Sequence, residues 1–194
     1  RATGMPSMSP SAVVTLGSRH FDPVEMLNAI DSHKPAFLTI VGDPFARPLL
    51  DVLNAEPGRF DVSSVQRITS SGVMWSLEVK RGLLRHMPNA ILADGFSSSE
   101  ALGLGTSLMT AAGEIGTAKF ALGPRARVFD ENDQPVLPGE KRRGLVAVGP
   151  PNPLGYYKDP EKSARTFRSI GGVRYSIPGD WCQVEDDGTL TLLG

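Results

Sequence analysis

With 194 residues, 40% apolar and 21% charged, the chain has the composition of a globular protein of one or two domains, and a domain of this size buries roughly 70% of the surface its unfolded form exposes. A formal net charge of -1 argues against a nucleic-acid footprint, which would need a basic face. The one cysteine, Cys182, excludes an internal disulfide and fits a reducing, cytoplasmic compartment. No apolar run reaches transmembrane length, and the start, Arg1-Ala2-Thr3-Gly4, has no signal-peptide core. The first residue is not Met and the last, Leu192-Leu193-Gly194, stop in mid-pattern, so the chain is expected to be a piece of a longer one.

In chain order, Val13-Val14-Thr15 reads as a strand. Asp22-Pro23-Val24-Glu25 is a helix start, with Asp as N-cap, Pro at the first position and Glu at the third, the cap contributing about 1 kcal/mol. Met26, Leu27 and Ile30 then share one helical face. Ala36 to Val41 predicts a buried strand, and Asp43-Pro44 opens a helix through Asn54. Val65 to Ser70 predicts a strand, Ser76 to His86 a helix with Leu77, Leu83 and Leu84 inward, and Ala90 to Ala93 another strand. Strands alternating with helices imply parallel, right-handed crossover units, whose ligands sit beyond the carboxyl ends of the strands. Ser70-Ser71-Gly72 and Asp94 to Glu100 lie at two such ends.

From about Thr117 the texture changes. Phe120 to Leu122, Ala126 to Phe129, Leu145 to Val148, Val173 to Ile177 and Trp181 to Leu193 are short strand patterns with Gly, Pro and Asp turns between them. Asp186-Asp187-Gly188 is a hairpin signal within the last of these, and one helix opens at Asp159-Pro160-Glu161. The expected fold class is therefore α/β: an alternating parallel-sheet layer over residues 1–116, then a small antiparallel, β-barrel-like subdomain over 117–194.

The run Asp94-Gly95-Phe96-Ser97-Ser98-Ser99-Glu100 places an aromatic ring, a hydroxyl cluster and a carboxylate within seven residues. These are the groups a magnesium nucleotide needs: a π-face for the base, hydroxyls for phosphate oxygens and a hard oxygen ligand for the metal. Taken alone, the run reads more readily as a Ser-rich turn capping a following helix, with Phe96 as core and Glu100 as an exposed helix residue. Asp180 after Gly179 reads alone as a turn residue. His20, His33 and His86 show no metal-ligand or triad spacing. Cys182 beside Trp181 reads as a packed thiol, and Lys141-Arg142-Arg143 as a solvated turn.

Four segments in order resemble the adenylate-forming (AMP-binding) superfamily of acyl-CoA synthetases, luciferases and relatives. Ser70-Ser71-Gly72-Val73 stands where that family has Ser-Gly-Gly-Ala, and Gly95 to Glu100 matches its Gly-Tyr-Gly-x-Thr-Glu motif. Gly144 to Pro150, Gly155-Tyr156-Tyr157 and Asp159-Pro160-Glu161 resemble its Gly-Glu-Leu, Gly-Pro, Gly-Tyr and Pro-Glu stretch. Tyr175 to Asp180, Asp187-Gly188 and Leu192-Leu193-Gly194 are similar to its Trp-x-x-Thr-Gly-Asp, Asp-Gly and Leu-Gly-Arg. Ser97 to Glu100 and Ile177 to Asp180 are in turn similar to an actinobacterial-type group of synthetases for fatty acids or sterol side chains.

The resemblance implies that Phe96 stacks on adenine, where base stacking is worth about 1–3 kcal/mol. It implies that Ser71, Gly72, Asp94 and Gly95 line the adenine, that Ser99 donates to the α-phosphate, that Glu100 holds Mg2+, and that Asp180 takes both ribose hydroxyls. Val73 and Ser97 would face the acyl channel, Ser97 replacing a family Gly and narrowing or polarising that wall. Pro178 replaces a Thr or Ser and removes a backbone donor. Residues 155–161 are expected to be structural. The segments near Met5 to Ser11 and Gly105 to Gly116 are shorter than the family pattern. A phosphate loop ending in Lys, the Arg after Gly194 and the C-terminal domain with its Lys are not in the 194 residues. The implied activity is ATP-dependent activation of a small-molecule carboxylate to acyl-adenylate and then acyl-CoA, with ATP, Mg2+ and coenzyme A, the chain being inactive alone. The alternatives are a ligase that stops at acyl-AMP or uses a carrier protein, and a non-catalytic nucleotide-binding module. Acyl chain and oligomeric state, monomer or homo-oligomer, are left open.

Overall fold

The computed structural model describes residues 13–73, 75–113 and 119–193. Helix α1 (Pro23–His33) begins where its cap requires: Asp22 Oδ1 accepts from the N–H groups of Val24 (2.8 Å) and Glu25 (3.2 Å). Glu25 in turn accepts from the Gly17 N–H at 2.8 Å, tying the preceding segment to the helix. The strand expected at Val13-Val14-Thr15 is not formed. Val13 is 85% exposed, and among the described residues no strand pairs with this stretch, so β propensity there has no ladder to join.

Strands β1 (Phe37–Ile40), β2 (Arg67–Ser71) and β3 (Ile91–Phe96) alternate with helices α2 (Asp43–Ala55) and α3 (Leu77–His86). The three strands pair in parallel, with Leu38 opposite Ile68 and Ile68 opposite Leu92. Leu27, Ile30, Leu49, Leu53, Val79 and Leu83 cover them as one hydrophobic cluster, leaving Leu77 at its half-buried margin. No helix follows β3. Residues 97–104 form a turn, and β4 (Gly105–Met109) returns antiparallel to β3.

The antiparallel half comprises β5 (Lys119–Leu122), β6 (Ala126–Phe129), β7 (Arg143–Val148), the short helix α4 (Pro160–Thr166), β8 (Phe167–Ile170), β9 (Val173–Ser176), β10 (Trp181–Val184) and β11 (Thr189–Leu193). The Asp186-Asp187-Gly188 turn joins the last two as an antiparallel hairpin. Among the described residues the strands form one sheet in the order β1-β2-β3-β4-β5-β11-β10-β7-β9-β8, with β6 on β7. The order is that of an open sheet: parallel at one end, antiparallel through the rest. A second cluster, including Leu104, Phe120, Val146, Cys182 and Leu190, fills the antiparallel half. Gly144 permits the β6–β7 contact, because a Cβ there would lie 2.5 Å from Val128 Cγ1 and 2.8 Å from the Phe129 carbonyl.

The expected boundary at 116/117, the change of texture at Thr117, the short segment at Met5 to Ser11 and residues 114–116 of the other lie outside the described residues. So do Arg1 to Gly4 and Gly194. Among the described residues no helix is long and apolar enough to cross a membrane.

Candidate nucleotide-binding site

Parallel pairing sets the carboxyl ends of β2 and β3 side by side, Ser70 opposite Asp94 and Ser71 opposite Gly95. The chain leaves β2 through Gly72 at φ +91°, a left-handed turn suited to glycine. Beyond these ends lies a cleft of about 280 Å³. Ser71, Gly72, Val73, Asp94, Gly95, Phe96, Ser97 and Asp180 all line it. Asp180 is carried there by the antiparallel half: it follows Gly179 at φ +116°, its carbonyl accepts from the Val146 N–H at 3.0 Å, and β10 begins at the next residue. Its side chain is exposed. A cavity of about 320 Å³ between α2 and α3, among Arg47, Asp51, Glu78, Arg81 and Arg85, is larger but holds none of the motif residues.

Phe96 stands at the end of β3, half-buried, its ring centroid 5.6 Å from that of Phe120. The serines divide by role. Ser97 Oγ accepts from the Gly103 N–H at 3.0 Å and Ser98 Oγ from the Ala101 N–H at 3.1 Å, so both hydroxyls shape the turn. Ser99 is exposed, and neither it nor Glu100 is among the residues that line the cleft. Glu100 Oε1 accepts from the Tyr156 hydroxyl at 2.7 Å, and this bond first, with smaller help from Ser98 and Lys162, holds the carboxyl below its ordinary value. The Tyr156 N–H donates to Ser163 Oγ at 2.8 Å, and the Lys162 ammonium lies 4.0 Å from the Tyr156 ring centroid. Of residues 155–161, Tyr156 is thus bonded to a motif carboxylate.

Among the described residues no cluster of three or more His, Cys, Asp or Glu side chains could hold a metal. A lone carboxylate such as Glu100 fits a magnesium ion that arrives on phosphate oxygens, because Mg2+ keeps several waters and needs only one or two protein carboxylates.

Sequence reasoning missed Trp75, Phe120 and Leu192 in the wall, and Lys80 behind it. Lys80 is 3% exposed and donates from Nζ to Asp94 Oδ2. Its ammonium lies 5.6 Å from the centroid of the fully buried Trp75 ring. Burial raises the Asp94 carboxyl above its ordinary value, and Lys80 opposes that shift. The available signal was a lysine three residues after Leu77 and four before Leu84, on the apolar face of α3.

Cys182 is fully buried in the second cluster, and burial, with Asp180 adding to it, pushes its thiol up to about 12. The folded chain is expected to resist iodoacetamide at pH 8 and to react fully in denaturant, as followed by mass spectrometry. Rapid modification of the native protein would show an accessible thiolate instead.

The fold is that of adenylation domains. The nonribosomal peptide synthetase FmoA3 superposes with a TM-score of 0.75 over 91% of this chain and 20% of its own, at 19% identity. No family model matches the chain. In sequence it is 40% identical over 186 residues to a Mycobacterium tuberculosis protein named medium/long-chain-fatty-acid-CoA/3-oxocholest-4-en-26-oate-CoA ligase, covering 95% of this chain and 34% of that protein. A Rhodococcus rhodochrous 3-oxocholest-4-en-26-oate-CoA ligase is 38% identical over 188 residues, 90% of this chain and 32% of its own. The chain is a homologue of the acyl-CoA ligases of the AMP-binding superfamily and spans about a third of the length of the curated relatives it matches.

Proposed function

We propose that the chain is the adenine-, ribose- and magnesium-contacting part of an ATP-dependent acid-CoA ligase. The observation that carries this reading is the meeting in one cleft of Ser71-Gly72-Val73, Asp94 to Ser97 and Asp180, segments far apart in the chain that each match a family motif. In this reading Phe96 stacks on the base, Ser71, Gly72, Asp94 and Gly95 surround its edge, and Asp180 accepts from the ribose hydroxyls. Val73 and Ser97 border the acyl group. Ser99 donates to the α-phosphate and Glu100, held by Tyr156, takes magnesium, which supplies charge neutralisation when bound. A carboxylate oxygen attacks the α-phosphorus and pyrophosphate leaves; the CoA thiol then attacks the acyl carbonyl and AMP leaves. The work of these residues is positioning and electrostatic stabilisation. The relatives' names favour a medium- or long-chain fatty acid or a sterol side-chain acid as substrate. The reading also keeps the division at 116/117 and a cytoplasmic setting, where ATP and CoA are supplied.

The test supplies the full-length protein that contains this chain with ATP, Mg2+, CoA and either a fatty acid or 3-oxocholest-4-en-26-oate, and follows acyl-CoA by chromatography; the 194 residues alone are expected to give none. CoA-dependent thioester supports the ligase. Acyl-AMP without thioester would assign it to the group that stops at the adenylate, and failure to bind an acyl-adenylate mimic would leave only the fold in common.

A further inference from the structure

We propose that Lys80, which lies outside every motif of the site, is a positioning residue that gives the cleft its preference for a 6-amino purine by holding Asp94 as an anionic acceptor. The inference rests on the nucleotide reading above and assigns a role that none of the motif residues supplies. Three observations carry it. Lys80 reaches from α3 to Asp94 on β3, and both are withdrawn from solvent, Lys80 almost wholly. Asp94 lines the cleft beside Gly95 and Phe96, so Lys80 is bonded directly to the back of the wall and is not remote packing. The ammonium sits over the buried Trp75 ring, which also lines the cleft and confines it to that position.

A buried ion pair is a poor device for stability alone, since desolvation of both charges offsets their attraction and an apolar pair of like volume holds a fold as well or better. Its chemical consequence at this wall is more specific. An ionised carboxylate offers lone pairs and no proton. One oxygen of Asp94 takes Lys80, and among the described residues the carboxylate accepts from no other side chain. What remains accepts from the exocyclic amino group of adenine and repels the 6-oxo group of hypoxanthine or guanine, which presents an acceptor at the same place. Without Lys80, burial favours the neutral acid, which both donates and accepts and so tolerates either base.

The experiment measures AMP and IMP affinities by calorimetry for the chain and for Lys80→Met, Lys80→Gln and Lys80→Arg, with folding checked by circular dichroism. The wild-type chain is expected to bind AMP at least about tenfold more tightly than IMP, the scale of one hydrogen bond to a charged group. Lys80→Met and Lys80→Gln bring the ratio towards one, and Lys80→Arg restores it. Should Lys80→Met not fold, Lys80→Gln, which is one bond shorter than Lys but keeps a neutral donor for Asp94, carries the comparison. A ratio unchanged in a folded Met or Gln variant overturns the proposal. Equal wild-type binding of both nucleotides overturns it while leaving the nucleotide reading intact, whereas binding of neither overturns both.

Discussion

Replacing Asp180 with Ala is expected to weaken binding of a non-hydrolysable acyl-adenylate mimic by roughly 10²- to 10⁴-fold, with little change in the stability of the free chain. The size follows from two hydrogen bonds to a charged acceptor, about 1.5–3 kcal/mol each, lost together. The selectivity follows from location. Asp180 is exposed, and what joins it to the sheet is its backbone carbonyl, which accepts from Val146 whatever the side chain. An exposed substitution of this kind shifts stability by about 0.5 kcal/mol or less. Phe96→Ala should cost less affinity, about 1–3 kcal/mol for one stacked base. Calorimetry on both variants separates the two contributions, and an Asp180→Ala chain that binds like wild type would remove the ribose role from this residue.

Lys80→Met is expected to destabilise the chain by about 3–5 kcal/mol near neutral pH, since the withdrawn Asp94 carboxyl then has either to stay charged without a partner or to take up a proton at a cost that grows with pH. For a chain of this size that corresponds to a fall in Tm of about 6–20 °C. The deficit should shrink in acid. Burial holds the folded Asp94 carboxyl above its unfolded value, so the folded state binds the proton more readily and stability from this group is lost as pH rises through that window. Lys80 opposes the loss by favouring the ionised form. Without it the folded carboxyl moves higher still, and the variant's deficit relative to wild type grows with pH above the unfolded value. Thermal melts of both proteins across pH 4 to 8 measure the gap. A gap independent of pH would show that the loss comes from packing alone.

The elements that reading in chain order located are those with strong local signals at both ends. Asp22-Pro23 starts α1, β6 spans Ala126–Phe129 as its alternation predicts, and the Asp-Asp-Gly turn closes the β10–β11 hairpin. β4 was hidden because it opens on Gly105 and carries Ser107 at its centre, leaving only Thr106 and its last two residues to signal a strand; its place is set by pairing with β3. β8 was hidden because Phe167 follows α4 with no breaker between helix and strand. Val13-Val14-Thr15 shows the converse, propensity with no strand to pair with among the described residues.

The chemistry of the cleft was legible locally, because Ser71-Gly72-Val73, Asp94 to Glu100 and Ile177 to Asp180 between them carry an aromatic ring, hydroxyls and carboxylates in the spacing of the family's motifs. Their meeting in one cleft, the exclusion of Ser99 and Glu100 from its wall, the Tyr156–Glu100 bond and the Lys80–Asp94 pair are decisions of the tertiary structure. Local sequence specifies what a residue can donate, accept or stack upon. Which partner it meets depends on contacts spanning 14 residues for Lys80 and 56 for Tyr156, and these are set only when the sheet and its covering helices close on a common core.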